Sequence, residues 1–202
     1  MANTKITNAK ELVGTKYLSL YQLDVVNKAG QDKVWMVASR KSMNEINDIY
    51  MNNKEQDIDA VVIVPIHKET GKLVLVNQFR VPINGYILEL PAGLIDNKED
   101  FEVAVKRELK EETGLDLVKI DKDLTRNKVY MSPGMTDESI ALVYCLCSGE
   151  LSTEHLEVDE EIEPIIVSKE EAKEILKSEA LRIDVKAYLV MKDYINGLID
   201  LK

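Results

Sequence analysis

Histidine and cysteine are scarce in this chain of 202 residues, which has two of each. His67 and His155 stand far apart in sequence, and that spacing argues against a zinc site. Cys145 and Cys147 lie two apart in an apolar strand, on one face, where a disulfide between them is geometrically disfavoured. They read as free core thiols of a reducing compartment, so a cytoplasmic protein is expected. Basic charge is in deficit, with 26 Lys and Arg against 36 Asp and Glu and a formal net charge of −10. Nucleic acid rewards clustered Lys and Arg, and is not an expected partner. An anionic substrate would need help, such as metal ions, to settle in an acidic pocket. No apolar run approaches the roughly 18 residues of a membrane span. The opening MANTKITNAKELVG lacks the basic start and apolar core of a signal peptide. Neither repeats nor low-complexity segments occur.

What is present suits a globular fold with a real core, since 45% of the residues are hydrophobic. Segments 16–26 (KYLSLYQLDVV) and 33–39 (KVWMVAS) read as an N-terminal hairpin around the turn NKAGQ. The polar stretch KSMNEINDIYMNNKEQ reads as a link to the main domain. Strands are expected at 59–66 and 73–79, with Gly71 as breaker, and near 86–90, 127–131, 139–147 and 162–167. Helices are expected at 98–113, closed by Gly114, from about 169, and from 183 to 196. Strands and helices mix without regular βαβ alternation, so a simple doubly wound sheet is not implied.

The stretch RELKEETG (107–114) raises a specific question. At about 100° per residue, Phe101, Val105 and Leu109 span roughly 80° and form the buried stripe. Glu112 projects inside that arc and Glu108 lies only about 20° outside it. A solvated acidic face should lie opposite, where Val103 and Lys110 are found instead. Carboxylates turned inward are costly unless a cation meets them. Arg107 can pair with Glu111 at i,i+4, but one arginine cannot neutralise three carboxylates. With no histidine or thiolate cluster nearby, oxygen ligands favour a hard divalent cation, Mg²⁺ or Mn²⁺.

Gly93, five residues, Glu99, seven residues and then Arg107-Glu108-Leu109-Lys110-Glu111-Glu112-Thr113-Gly114-Leu115 resembles the Nudix box, complete from 93 to 115. The resemblance implies a mixed α/β (α+β) Nudix fold, an α/β/α sandwich around a mixed sheet, with a small N-terminal antiparallel sheet. It also implies hydrolysis of a nucleoside diphosphate linked to another moiety. Glu108, Glu111 and Glu112 match carboxylates that hold Mg²⁺ or Mn²⁺, and the carbonyl of Ala92 matches a further ligand. Glu99 and Arg107 match positions that fix the loop and orient those carboxylates.

The runs VNQFRVPINGYILELPAGLID (76–96) and SPGMTDE (132–138) resemble the ADP-ribose pyrophosphatase branch. That likeness implies cleavage of ADP-ribose to AMP and ribose 5-phosphate by a homodimer. Residues 1–55 would then serve dimerisation and adenine binding, and residues 56–202 would form the catalytic domain. Tyr17 and Trp35 match an aromatic pair that sandwiches adenine, one from each subunit. Arg40 and Arg80 match arginines on phosphates or adenine, and Glu89 matches a glutamate that reaches adenine or ribose. The loop DEEIEP (159–164) resembles the family's acidic loop, with Glu160 at its catalytic glutamate and Glu161 one residue away. Glu160, Glu111 and Arg107 make up the expected catalytic set. Another nucleoside diphosphate sugar, such as GDP-mannose, and a non-cleaving ADP-ribose-binding module are the competing readings.

Overall fold

The computed structural model describes residues 3–96 and 99–201. The chain divides into two units: Met1–Asp59 with Val129–Ile140, and Ala60–Lys128 with Ala141–Lys202.

The first unit is built on a three-stranded antiparallel sheet, β1 (Lys5–Gly14), β2 (Ser19–Val26) and β3 (Asp32–Ser39), in that order. The sequence suggested only the hairpin β2–β3. β1 escapes a pattern search because its ten residues, KITNAKELVG, are largely exposed, with Ala9 alone fully buried. It is held by backbone pairing to β2, with register shifts between Ile6 and Asn8 and between Glu11 and Val13. The polar stretch after β3 is also more than a link, since Met43–Asn52 forms helix α1. Ser42 and Glu45 close a reciprocal capping box at its start, and Asn53 ends it at φ 55°. Met43, Ile46, Tyr50 and Met51, at i, i+3, i+7 and i+8, pack with Ala9, Tyr21, Leu23 and Val37 of the sheet. The segment 129–140 joins this unit through Asp137, which lies 3.6 Å from Lys41 Nζ; Asp59 lies 2.5 Å from the same nitrogen, and all three side chains are largely buried.

The second unit centres on β4 (Ala60–His67), buried along its whole length, and β5 (Lys72–Arg80). The main sheet runs β11 (Ile162–Val167), β5, β4, β10 (Ser139–Ser148), β8 (Asp116–Ile120). Three strands attach to it: β6 (Gly85–Glu89) on β5, β7 (Ala92–Leu94) on β4 and β9 (Arg126–Tyr130) on β10. Both β7 and β8 escape the sequence pattern: β7, at three residues, is too short to show a period, and β8 follows directly on the end of α2. Helix α2 (Phe101–Thr113) packs on β4, β7, β8 and β11, while α3 (Lys169–Lys177) and α4 (Val185–Ile195) pack on each other. The architecture is the expected mixed α/β one, a mixed sheet with helices plus a small antiparallel sheet. Lys98, the expected first residue of the glutamate helix, lies outside the described residues; the helix begins at Phe101 with Asp100 as its cap. Cys145 and Cys147 are free and buried, as expected. His67 is bound locally, its ring contacting Thr70 Oγ1 at 3.1 Å and the Gly149 carbonyl at 3.0 Å. Among the described residues no helix is long and apolar enough to cross a membrane.

Candidate active site

Helix α2 presents its carboxylates as the angular reading requires. Val105 and Leu109 are fully buried, and so is Ala104. Phe101 is only half-buried, because a first-turn side chain leans past the helix start. Glu112 is 3% exposed and Glu108 8%, whereas Glu111 is half-exposed. Burial pushes the Glu112 carboxyl up to about 8, opposed by the bond from the Ala92 amide and reinforced by Glu108 and Glu160. Glu108 is also raised, first by burial and further by Glu111 and Glu160, against the pull of Arg107.

Short-range contacts fix the box to β7 and to the loop before α2. The Ala92 amide donates to Glu112 Oε2 at 3.0 Å, which ties the start of β7 to the end of the helix. Beside it, a Cβ at Gly93 would sit 1.8 Å from Glu108 Cδ, so only a glycine here leaves the Glu108 carboxylate where it is. Arg107 is the hub. One terminal nitrogen donates to Glu108 at 2.7 Å and Glu111 at 3.1 Å. The other donates to Glu99 at 2.7 Å and to the Leu94 carbonyl at 2.9 Å. Burial alone would lower the guanidinium, but the bonds to Glu99 and Glu108 outweigh it, so its pKa is raised. Glu99 is held below the usual carboxylate range by its bond from Arg107. At the far end, Gly114 adopts φ +76° and returns its N–H to Lys110, ending the helix.

Arg80 and Glu89 also come together. The Arg80 Nε and a terminal nitrogen both bond the Glu89 carboxylate, the latter at 2.5 Å. Burial opposes the Arg80 charge, but Glu89, then Glu112 and Asp184, hold its pKa above the usual value. Arg80 therefore stands within electrostatic reach of the box. In the loop before β11, Glu160 and Glu161 take different roles. The charge of Glu160 reaches Glu108 and Glu112, and its carboxylate accepts from the Glu157 amide at 3.0 Å. The carboxylate of Glu161 instead accepts from the Tyr86 phenol. Tyr86 escaped the sequence reading because an exposed tyrosine in a short strand carries no signal of its partner.

In the other unit, Trp35 on β3 is 54% exposed and Tyr17, in the turn between β1 and β2, is 68% exposed, with the Lys16 ammonium 4.8 Å from the centre of the Tyr17 ring. Arg40 pairs with Glu138 at 3.4 Å.

Among the described residues, no three His, Cys, Asp or Glu side chains stand close enough together to hold a metal ion. Arg107 bridges Glu108 and Glu111, and Glu112 is engaged by Ala92. The donor chemistry nonetheless fits a hard divalent cation: oxygen ligands only, and two buried carboxylates whose ionisation is costly without a positive partner. The glycine that leaves room for Glu108 fits it too.

The family model described as NUDIX domain matches residues 57–188. Similar proteins include putative nudix hydrolase 2 of Caenorhabditis elegans, 34% identical over 72% of this chain and 61% of the relative. The ADP-ribose pyrophosphatase of Saccharomyces cerevisiae is 34% identical over 67% of this chain and 55% of its own length. The ADP-ribose pyrophosphatase of Bacillus subtilis is 34% identical over 65% of this chain and 69% of its own. The match thus spans 61% and 55% of the nematode and yeast relatives' lengths. Among solved structures, the crystal structure of an ADP compounds hydrolase superposes with a TM-score of 0.70 at 20% identity, over 97% of this chain and 96% of that one.

Proposed function

Because the chain belongs to the Nudix family, we propose that it is a Mg²⁺-dependent hydrolase cleaving the pyrophosphate of ADP-ribose to AMP and ribose 5-phosphate. The observation that carries this reading is the box helix with Glu108 and Glu112 buried and Arg107 tying it to Glu99. The two ADP-ribose pyrophosphatases among the relatives support the substrate.

Glu108, Glu111, Glu112 and the Ala92 carbonyl would hold Mg²⁺, with Mn²⁺ as a substitute. When bound, the cation supplies charge for the phosphate oxygens and a lowered pKa for the attacking water. Glu160 takes the proton as the water oxygen bonds to phosphorus and the bond to the bridging oxygen breaks. Arg80 contributes a fixed positive charge near the phosphates, and Glu89 orients it. Arg107 and Glu99 hold the helix and loop in register. Glu160 is favoured over Glu161 as the base, because its charge reaches Glu108 and Glu112, whereas the Glu161 carboxylate is turned to Tyr86.

Residues 1–55 would serve dimerisation and adenine binding, beside a catalytic region of 56–202. The sheet in that N-terminal region exposes Leu20, Val34 and Met36, apolar surface suited to a second copy in a cytoplasmic homodimer. Cross-strand pairing puts Leu20, Met36 and Val34 on one face and Trp35 on the other. Tyr17 and Trp35 would stack on adenine, worth about 1–3 kcal/mol, and Arg40 would meet the ligand's charge.

The test is a panel of nucleoside diphosphate compounds incubated with Mg²⁺ and then phosphatase, scored by released phosphate. ADP-ribose should give the highest kcat/KM. A GDP-sugar at the top would move the substrate, and ADP-ribose binding without turnover would make the chain a sensor.

A further inference from the structure

We propose that Tyr86 is a positioning residue for the loop that carries Glu160, acting through Glu161. This rests on the assignment of Glu160 as the base. Strands β11, β5 and β6 lie side by side in that order. Phe79 of β5 pairs with Tyr86 of β6, and their rings meet edge to face at 5.6 Å and 78°. The Phe79 amide donates to the Glu161 carbonyl at 3.1 Å, and the Tyr86 phenol donates to the Glu161 carboxylate. Glu161 is therefore gripped twice, by the backbone of one strand and the side chain of the next, immediately before β11 begins at Ile162.

Glu160 is anchored differently. Its amide donates to the Glu157 carbonyl at 3.1 Å and its carboxylate accepts from the Glu157 amide, so both bonds stay inside the loop. The bonds that reach the sheet belong to its neighbour. With the chain fixed at Glu161, the Cα of Glu160 is one peptide unit, about 3.8 Å, from a held point. A proton acceptor must be placed to a fraction of an ångström to act in the transition state, and losses of placement appear in kcat. Tyr86 touches neither water nor phosphate in this scheme. It acts by restricting where Glu160 can go.

Steady-state kinetics with ADP-ribose and Mg²⁺ test this on Tyr86→Phe, Glu161→Ala, Glu161→Gln and the double variant Tyr86→Phe/Glu161→Ala, with Glu160→Gln in the same assay. Tyr86→Phe and Glu161→Ala should each lower kcat by roughly tenfold to a hundredfold with KM little changed. Glu161→Gln keeps an acceptor for the phenol and should stay near the parent. The double variant should lose no more than the worse single one, because both remove the same bond. Melting temperatures should match the parent's. A fully active Tyr86→Phe beside a crippled Glu160→Gln would overturn this inference alone, as would losses that multiply in the double variant. Full turnover in Glu160→Gln would overturn the base assignment and this inference with it. A large loss in Glu161→Gln with Tyr86→Phe unaffected would overturn both and move the base to Glu161.

Discussion

Glu112 sits among fully buried neighbours, and its carboxylate has a backbone amide as its hydrogen-bond partner. Glu112→Gln keeps the volume and an acceptor for Ala92 while removing the charge. It should lower kcat by more than about tenfold, or roughly 1.4 kcal/mol. The melting temperature of the metal-free protein should hold or rise, since a neutral amide is cheaper to bury than a carboxylate. Turnover within tenfold of the parent, in a folded variant, would remove Glu112 from the ligand set. At this scale the sequence told much about the helix and little about its partners. Helical geometry alone put Glu108 and Glu112 beside Val105 and Leu109. That Glu112 would bond Ala92, or that Arg80 would spend its fork on Glu89, depends on strands brought together from elsewhere in the chain.

The two ends of the box contain glycines that should fail in different ways. At Gly93, an added Cβ would meet the end of the flexible Glu108 side chain. Gly93→Ala should therefore displace a functional carboxylate, costing kcat much and melting temperature little. At Gly114 the backbone is at φ +76°, and an added Cβ would lie 2.6 Å from the Ser152 backbone nitrogen, which cannot swing aside. Gly114→Ala should cost about 1–3 kcal/mol of stability, read by denaturant unfolding. If Gly93→Ala proved the less stable of the two while keeping full kcat, the assignment of roles would be reversed. Elements with strong periodicity or clear ends were legible: β11, α2, α3 and α4 fall within a few residues of expectation. β1 was not, because its ladder to β2 uses backbone groups that every sequence has. α1 was legible in principle, since Ser42 and Glu45 spell a capping box, but its polar composition masked an apolar stripe of four residues.

For the whole molecule, the cysteine pair sets an alkaline limit. Burial raises both thiols, Cys147 to about 12 and Cys145 further. The unfolded chain releases these protons from about pH 8.5, while the folded chain retains them. Stability is therefore fully present below that pH and is lost as pH rises toward the folded values, by about 1.4 kcal/mol per thiol per pH unit. A Cys145→Ala/Cys147→Ala variant should show a shallower fall of melting temperature between about pH 9 and 11; equal slopes would show that the thiols do not govern it. The proposed dimer is tested by mixing Trp35→Ala with Glu112→Gln subunits. Exchange should restore activity, because one site in each mixed dimer would have an intact stacking wall and intact ligands. Verified exchange without recovery, or a fully active monomer in sedimentation, would sink the dimer.

The first unit is discontinuous in sequence: the chain leaves it at Asp59 and re-enters at Val129. The buried Lys41 has Asp59 soon after it, but Asp137, which also accepts from the Ser39 hydroxyl at 3.0 Å, arrives only after the first half of the other unit. On a ribosome the N-terminal sheet would therefore emerge long before the segment that supplies Asp137. An N-terminal fragment ending at Asp59 would contain its whole apolar cluster, Ala9, Tyr21, Leu23, Val37 and Ile46, but hold a buried ammonium short of one counter-ion. Synthesis from N to C therefore separates two steps: the sheet and its apolar core are available first, and the second partner of the Lys41 charge comes later. What must wait for the residues around Asp137 is the second counter-charge of Lys41, not the sheet.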